Sequence, residues 1–265
     1  MPALGRMLCD VKLVTWNVNS IRQRLERLLA LLERHAPDLV CLQETKVVDA
    51  DFPADALRAA GYASAFAGQK SYNGVAILAK SEPAEVARGF RDGGDDEQAR
   101  LLSATIEGVR VICAYVPNGQ AVGSDKYAYK IEWFERLRKL LEREADASLP
   151  LALVGDFNVA PADIDVHDPE AWRGQVLCSE PERAALQRVL DWGLVDGFRA
   201  RYPERVAYTW WDYRELGFPK NRGLRIDHVL LTQPLVTRLE DVVIDREERK
   251  GKGASDHAPV LALLK

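Results

Sequence analysis

No stretch of this chain approaches the run of about 18 apolar residues that a membrane span needs, no Gly/Ser- or Pro-rich linker divides it, and it holds no Cys-x-x-Cys pair. The first absence sets aside a membrane-spanning helix and leaves the expectation of a soluble, unexported, cytoplasmic protein. The second makes the 265 residues a single domain, 1–265, with residues 1–8 read as a short N-terminal extension. Hydrophobic residues, at 47%, suffice for one large core. The third absence bears on Cys9, Cys41, Cys113 and Cys178, which are widely spaced, three of them in or beside apolar runs. Buried reduced thiols are expected, not a zinc site or a disulfide framework. Strong positive charge is missing too. A net charge of -4 argues against a protein that coats nucleic acid over its whole surface, yet permits a local basic face around an acidic metal centre.

What is present is a recurring event: a short apolar run that stops at polar residues. Val11 to Trp16 reads as a strand ending at Asn17-Val18-Asn19, with Ser20 as cap of a helix to about His35 whose buried stripe is Ile21, Leu25, Leu28, Leu29 and Leu32. Leu39 to Leu42 stops at Gln43-Glu44-Thr45-Lys46. Gly74 to Ala79, Leu101 to Glu107 and Val109 to Val116 are further strands, the last two joined at Gly108 as an antiparallel hairpin, which argues against an all-parallel sheet. Tyr115-Val116-Pro117-Asn118-Gly119 follows, and Ser124 opens a helix to about Ala145 with Tyr127, Ile131, Phe134, Leu137 and Leu141 on one side and Lys, Arg and Glu on the other.

Leu151 to Val154 runs into Gly155-Asp156-Phe157-Asn158. Taken alone, that run is equally a Gly-Asp turn with an Asx cap. Asp163 to Ser179 is an irregular excursion, Pro181 to Trp192 a helix, and Tyr208 to Arg225 an aromatic and basic passage. Ile226 to Thr232, Val236 to Ile244 and Pro259 to Leu264 are the closing strands, with Asp256-His257 at the edge of the last.

If one sheet system gathers these ends, it assembles Asn17, Glu44, Tyr115, Asn118, Asp156, Asn158, Asp227 and His228, and Asp256 and His257. Carboxylate and amide oxygens are hard donors suited to Mg²⁺ or Mn²⁺, and zinc would want more His or Cys. A divalent ion to polarise a phosphoryl oxygen, a carboxylate to take a proton from water and a histidine facing developing charge together point to phosphoester hydrolysis. Position alone explains His35 as a cation at a helix C-terminus. His167 and His228 read as structural or exposed, not catalytic, and Asp49, Asp51, Asp92, Asp95 and Asp96 as solvated loop charges.

Seven segments in order resemble the endonuclease/exonuclease/phosphatase superfamily, and within it the exonuclease III type of apurinic/apyrimidinic endonuclease. They are 15–22 around Asn17, 42–46 around Glu44, 115–119, 155–158, 208–214, 221–227 and 255–259. The resemblance implies an α/β (α+β) fold: a four-layer sandwich of two packed mixed or antiparallel sheets flanked by helices. It implies Glu44 on the metal with Asn17 and Asp256 close by, Asp156 on the attacking water, Asn158, Tyr115 and Asn118 on phosphate oxygens, and His257 facing the phosphate with Asp227 fixing its tautomer. Trp210, Leu224 and Ile226 would form a pocket for a sugar that has lost its base, which avoids the cost of extruding a paired nucleotide. Arg22, Lys220, Arg222 and Arg225 would contact the duplex backbone. Some vertebrate members carry Trp where this chain has Leu224 and Asp where it has Asn19. The implied protein is a monomeric DNA-repair hydrolase using Mg²⁺ or Mn²⁺ that cuts the phosphodiester 5′ to abasic sites in double-stranded DNA, with 3′–5′ exonuclease activity and trimming of damaged 3′ ends. A phosphatase of small phosphoesters or lipid headgroups, and a non-catalytic DNA-binding protein, are the alternatives.

Overall fold

The computed structural model describes residues 10–94 and 98–265. Cys9, Asp95, Asp96 and the 1–8 extension lie outside the described residues. In chain order the strands are β1 (Val11–Asn17), β2 (Leu39–Gln43), β3 (Ala63–Ala67), β4 (Val75–Ala79), β5 (Ala84–Arg88), β6 (Leu101–Ile106), β7 (Val109–Tyr115), β8 (Leu151–Asp156), β9 (Leu194–Asp196), β10 (Asp227–Thr232), β11 (Leu239–Ile244) and β12 (Val260–Leu264). The helices are α1 (Ile21–His35), α2 (Ala54–Ala59), α3 (Asp125–Glu144), α4 (Pro169–Trp172), α5 (Glu180–Leu190), α6 (Gly197–Arg201) and α7 (Gln233–Val236). No described helix is long and apolar enough to cross a membrane.

Two six-stranded sheets form, in the orders β11-β12-β1-β2-β4-β3 and β5-β6-β7-β8-β10-β9. Each is antiparallel except for one central parallel pair, β1 with β2 and β7 with β8. Both pairs have short continuous apolar runs because both faces are covered. The inner faces meet in a core that includes Leu13, Cys41, Ile77, Val111, Cys113, Val154 and Val229. Outside one sheet, α1 and α2 pack with Trp16, Val40, Leu42 and Leu78; outside the other, α3 and α5 pack with Ile112, Leu153 and Phe157. The expected four-layer sandwich is therefore present, and the hairpin is seen in the antiparallel pairing of Ile106 with Val109.

Several local expectations are corrected. Ser20 occupies the N-cap of α1 but its side chain makes no capping bond, whereas Ser124 accepts from Tyr127 N as a cap should. The buried stripe of α1 is Ile21, Arg24, Leu28, Leu31 and Leu32, because Leu25 and Leu29 lie at its margins. On α3, Lys130, Trp133 and Leu140 join the buried face and Ile131 sits at its edge. The strand expected from Val236 starts at Leu239, since Gln233–Val236 forms a helical turn first.

Candidate active site

The polar strand ends converge because the two parallel pairs point their C-terminal ends the same way, and β10 and the approach to β12 begin there. Asn17 aligns with Gln43, Tyr115 with Asp156, and Asp156 with Asp227. Gly155 permits the close β7–β8 approach: a Cβ there would lie 1.8 Å from Ala114 O, and its φ of 148° is one L residues rarely adopt. The loops after β1 and β2 are zipped together by Val18 N to Gln43 O at 3.0 Å, Ser20 N to Glu44 O at 2.7 Å and Ile21 N to Thr45 O at 3.0 Å. Glu44 and Asn158 take left-handed backbone conformations, with φ of 54° and 51°. Such conformations cost energy in non-glycine residues, and they cluster where a side chain must be aimed.

The centre is Asp156. The Asn17 amide donates to Asp156 Oδ2 at 2.9 Å and to Glu44 Oε1 at 2.8 Å, bridging the two carboxylates. Asn158 donates through its backbone N to Asp156 Oδ1 at 2.9 Å and through Nδ2 to Oδ2 at 3.2 Å, and Asn118 donates to Asn158 Oδ1 at 3.1 Å. His257 Nε2 stands 3.8 Å from Asp156 Oδ2, while its Nδ1 is held by Asp227 at 2.9 Å. Glu44, Asp156 and His257 each offer a donor atom, and the three atoms lie within 4.8 Å of one another.

Burial in this crowd of acids sets the protonation states. Burial first, then the charges of Asp227 and Glu44, lift the Asp156 carboxyl to about 7 against the pull of His257 and Asn17. Burial opposes charge on His257, but Asp227 and Asp156 outweigh it and raise the imidazole to about 10. Glu44 and Asp156 are the hard oxygen donors of the group. Burial and the nearby charges of Glu44 and Asp156 push the Tyr115 phenol well above its ordinary range, so it stays a neutral donor.

The chain is similar to known proteins over most of its length. Residues 14–257 match the model of the Endonuclease/Exonuclease/phosphatase family. The chain belongs to that family. Exodeoxyribonuclease III of Haemophilus influenzae is 38% identical over 267 residues, spanning 96% of this chain and 100% of that protein. Among solved structures, a 3′ phosphatase from Neisseria (NExo) bound to product DNA hairpin has a TM-score of 0.93 at 44% identity, covering 96% of this chain and 99% of that one. An AP endonuclease from Archaeoglobus fulgidus has a TM-score of 0.93 at 40% identity, with 96% and 99% covered. These likenesses assign the chain to the exonuclease III and AP endonuclease branch of the Endonuclease/Exonuclease/phosphatase family.

Of the residues singled out in the sequence, Asn17, Glu44, Tyr115, Asn118, Asp156, Asn158, Asp227 and His257 meet at the one site. Asp256 stands beside it with both oxygens engaged, one by Asn19 at 2.9 Å and one by Trp210 Nε1 at 3.0 Å. Asn17 turns its amide nitrogen to the carboxylates, and its oxygen accepts from Asn19 N at 3.0 Å. Arg225 is corrected outright: 1% exposed, it binds Asp165 at 2.6 Å and Asp196 at 2.8 Å and has no surface to give a duplex. Arg22, Lys220 and Arg222 are exposed. Leu224 and Ile226, at 0% and 1% exposure, are packed with Val166, Leu177 and Cys178, so only Trp210 shows surface at the expected sugar pocket. His228 is structural, held by Arg225 at 3.0 Å and Val159 O at 2.9 Å. The loop carboxylates are exposed as expected, but they are ion-paired: Asp49 with Arg88, Asp51 with Arg22 and Asp92 with Arg136.

Three neighbours of the site had not been assigned from sequence. Lys46 binds Glu44 Oε2 at 2.7 Å and Asn19 Oδ1 at 2.5 Å, and Asn19 in turn holds Asp256. Arg100 lies over the Tyr115 ring, 4.6 Å from its centroid. Lys46 and Asn19 sit inside segments already marked by the strand-end pattern, whereas nothing local marks Arg100.

Proposed function

We propose that this chain hydrolyses phosphoesters of duplex DNA, cutting on the 5′ side of abasic sites and trimming damaged 3′ ends, with Mg²⁺ or Mn²⁺ as cofactor. The carrying observation is the buried Asp156 carboxyl, with Asn17, Asn158 and His257 around it. Asp156 takes the proton of the attacking water as the new P–O bond forms. His257, kept cationic by Asp227, faces the charge that builds on the phosphoryl oxygens, and Tyr115, Asn118 and Asn158 supply further donors. As the bond to the departing sugar oxygen opens, that oxygen takes a proton from solvent. Glu44 and Asp156 are the hard oxygen donors that fit a divalent ion, which when bound polarises the phosphoryl group. Lys46 and the Asn17 amide hold the Glu44 carboxylate in place until then.

A terminal phosphate suits the same machinery, and one observation favours it over an internal abasic site: the pocket that Leu224 and Ile226 would wall is filled by their own packing. The test is a side-by-side assay of the purified chain on abasic, recessed and 3′-phosphate duplexes, with and without EDTA. Cleavage that needs added Mg²⁺ or Mn²⁺ is expected, fastest on the 3′-phosphate duplex if the closed pocket governs choice. Undiminished turnover in EDTA contradicts the metal role, and turnover confined to small phosphoesters contradicts the DNA substrate.

A further inference from the structure

Lys130 interrupts the apolar face that α3 lays on the sheet. It is 0% exposed, among Tyr127, Trp133 and Phe134, and its partner Glu182 on α5 is 0% exposed as well. An ion pair so deep contributes less stability than apolar side chains of the same volume would. Its three donors are spent on three acceptors: Asn158 O at 2.7 Å, Asn118 O at 3.1 Å and Glu182 Oε1. Asn118 follows β7 and Asn158 follows β8, so one ammonium fixes the backbone of both asparagines whose side chains meet beside Asp156. Asn158 is held there in a left-handed conformation. Gly119 is shaped to the same contact: a Cβ on it would lie 3.1 Å from Lys130 Cδ.

Glu182 extends the link to the 163–179 excursion. It accepts from Leu177 N at 3.0 Å and Ser179 N at 3.1 Å, and Leu177 packs against Leu224 and Ile226 beneath Trp210. We infer that Lys130, locked by Glu182, is a positioning residue that sets Asn118 and Asn158 for the scissile phosphate and ties them to the loop that shapes the substrate pocket. This role rests on the reading of the site as a DNA phosphoester hydrolase.

The test is Lys130→Met/Glu182→Gln, which removes both charges together; Leu177 N and Ser179 N reach different oxygens of Glu182, so the amide oxygen keeps one of these bonds and loses the other. A cooperative thermal melt is expected, at a temperature below that of the wild type because the carbonyls of Asn118 and Asn158 lose their ammonium donor. Single-turnover cleavage at saturating duplex should fall on the order of 10- to 100-fold, with duplex affinity unchanged, because misplaced phosphate ligands slow the chemical step. In an Asn118→Ala/Asn158→Ala background the same change should cost little more, since its effect runs through those residues. A folded variant with wild-type kcat, or losses that multiply in that background, overturns the role. Should the double variant fail to fold, Lys130→Arg keeps the charge against Glu182 while its planar fork cannot meet both carbonyls as the ammonium does. It should then lose kcat with affinity intact, and wild-type kcat in it overturns the role. A wild-type chain inactive on every duplex overturns the hydrolase reading itself, and this role with it.

Discussion

At the scale of single residues, the site works by setting protonation states through burial. The raised carboxyl of Asp156 and the imidazolium of His257 depend on each other and on Asp227. Asp227→Asn should therefore leave the fold intact but loosen His257 and lower its basicity, seen as a fall in kcat and a shift of the His257 ring signal in NMR titration; an unmoved signal would separate the two residues. Arg225 gives a second test. Despite burial, Arg225 and His228 hold Asp196 below its ordinary range. A carboxyl with a folded pKa under its unfolded value of about 3.9 adds stability that is present above that value and is lost as pH falls through the lower one. Removing the partner of a buried charge costs roughly 3–5 kcal/mol, so Arg225→Met should sharply lower the urea midpoint near neutrality. The gap to wild type should narrow in acid, where Asp196 is neutralised. A gap that stays constant with pH would mean that Arg225 acts by packing alone.

At the scale of elements, what was legible were strand ends and their polar tips. Asn17, Glu44, Tyr115, Asp156 and Asp227 could be read because an apolar run breaks sharply at each. The strands passed over are ones without that contrast. Ala63–Ala67 is built of small residues, Leu194–Asp196 is three residues long, and Ala84–Arg88 is an exposed edge with an irregular register. Charged residues on buried faces are not legible from periodicity, for one reason. Arg24, Lys130 and Arg225 look like surface residues in any periodicity, and only long-range partners such as Ala254 O, Glu182 and Asp165 account for their burial. Gly155 tests the β7–β8 junction. In Gly155→Ala the new methyl must displace Ala114 O, which should cost at least the roughly 1–3 kcal/mol of an overpacked core and disturb Asp156 as well. A melting temperature and kcat both equal to wild type would show that the strands can part without consequence.

At the scale of the whole molecule, two sheets with one parallel pair each bring the acidic centre to one edge of the sandwich, and Arg22, Lys220 and Arg222 are exposed cations of a chain whose net charge is -4. If Lys220 and Arg222 each neutralise one phosphate, replacing both by alanine should weaken duplex binding irrespective of sequence and reduce the log–log salt slope by about 2. An unchanged slope would move the DNA to another face. The most direct measurement of the central claim is the single-turnover rate of Asp156→Asn against wild type on abasic and 3′-phosphate duplexes with Mg²⁺ present. A loss of roughly 10²- to 10⁴-fold on both substrates, with duplex affinity retained, is the expected result for a general base; cleavage at the wild-type rate would contradict the assignment of Asp156 to the attacking water.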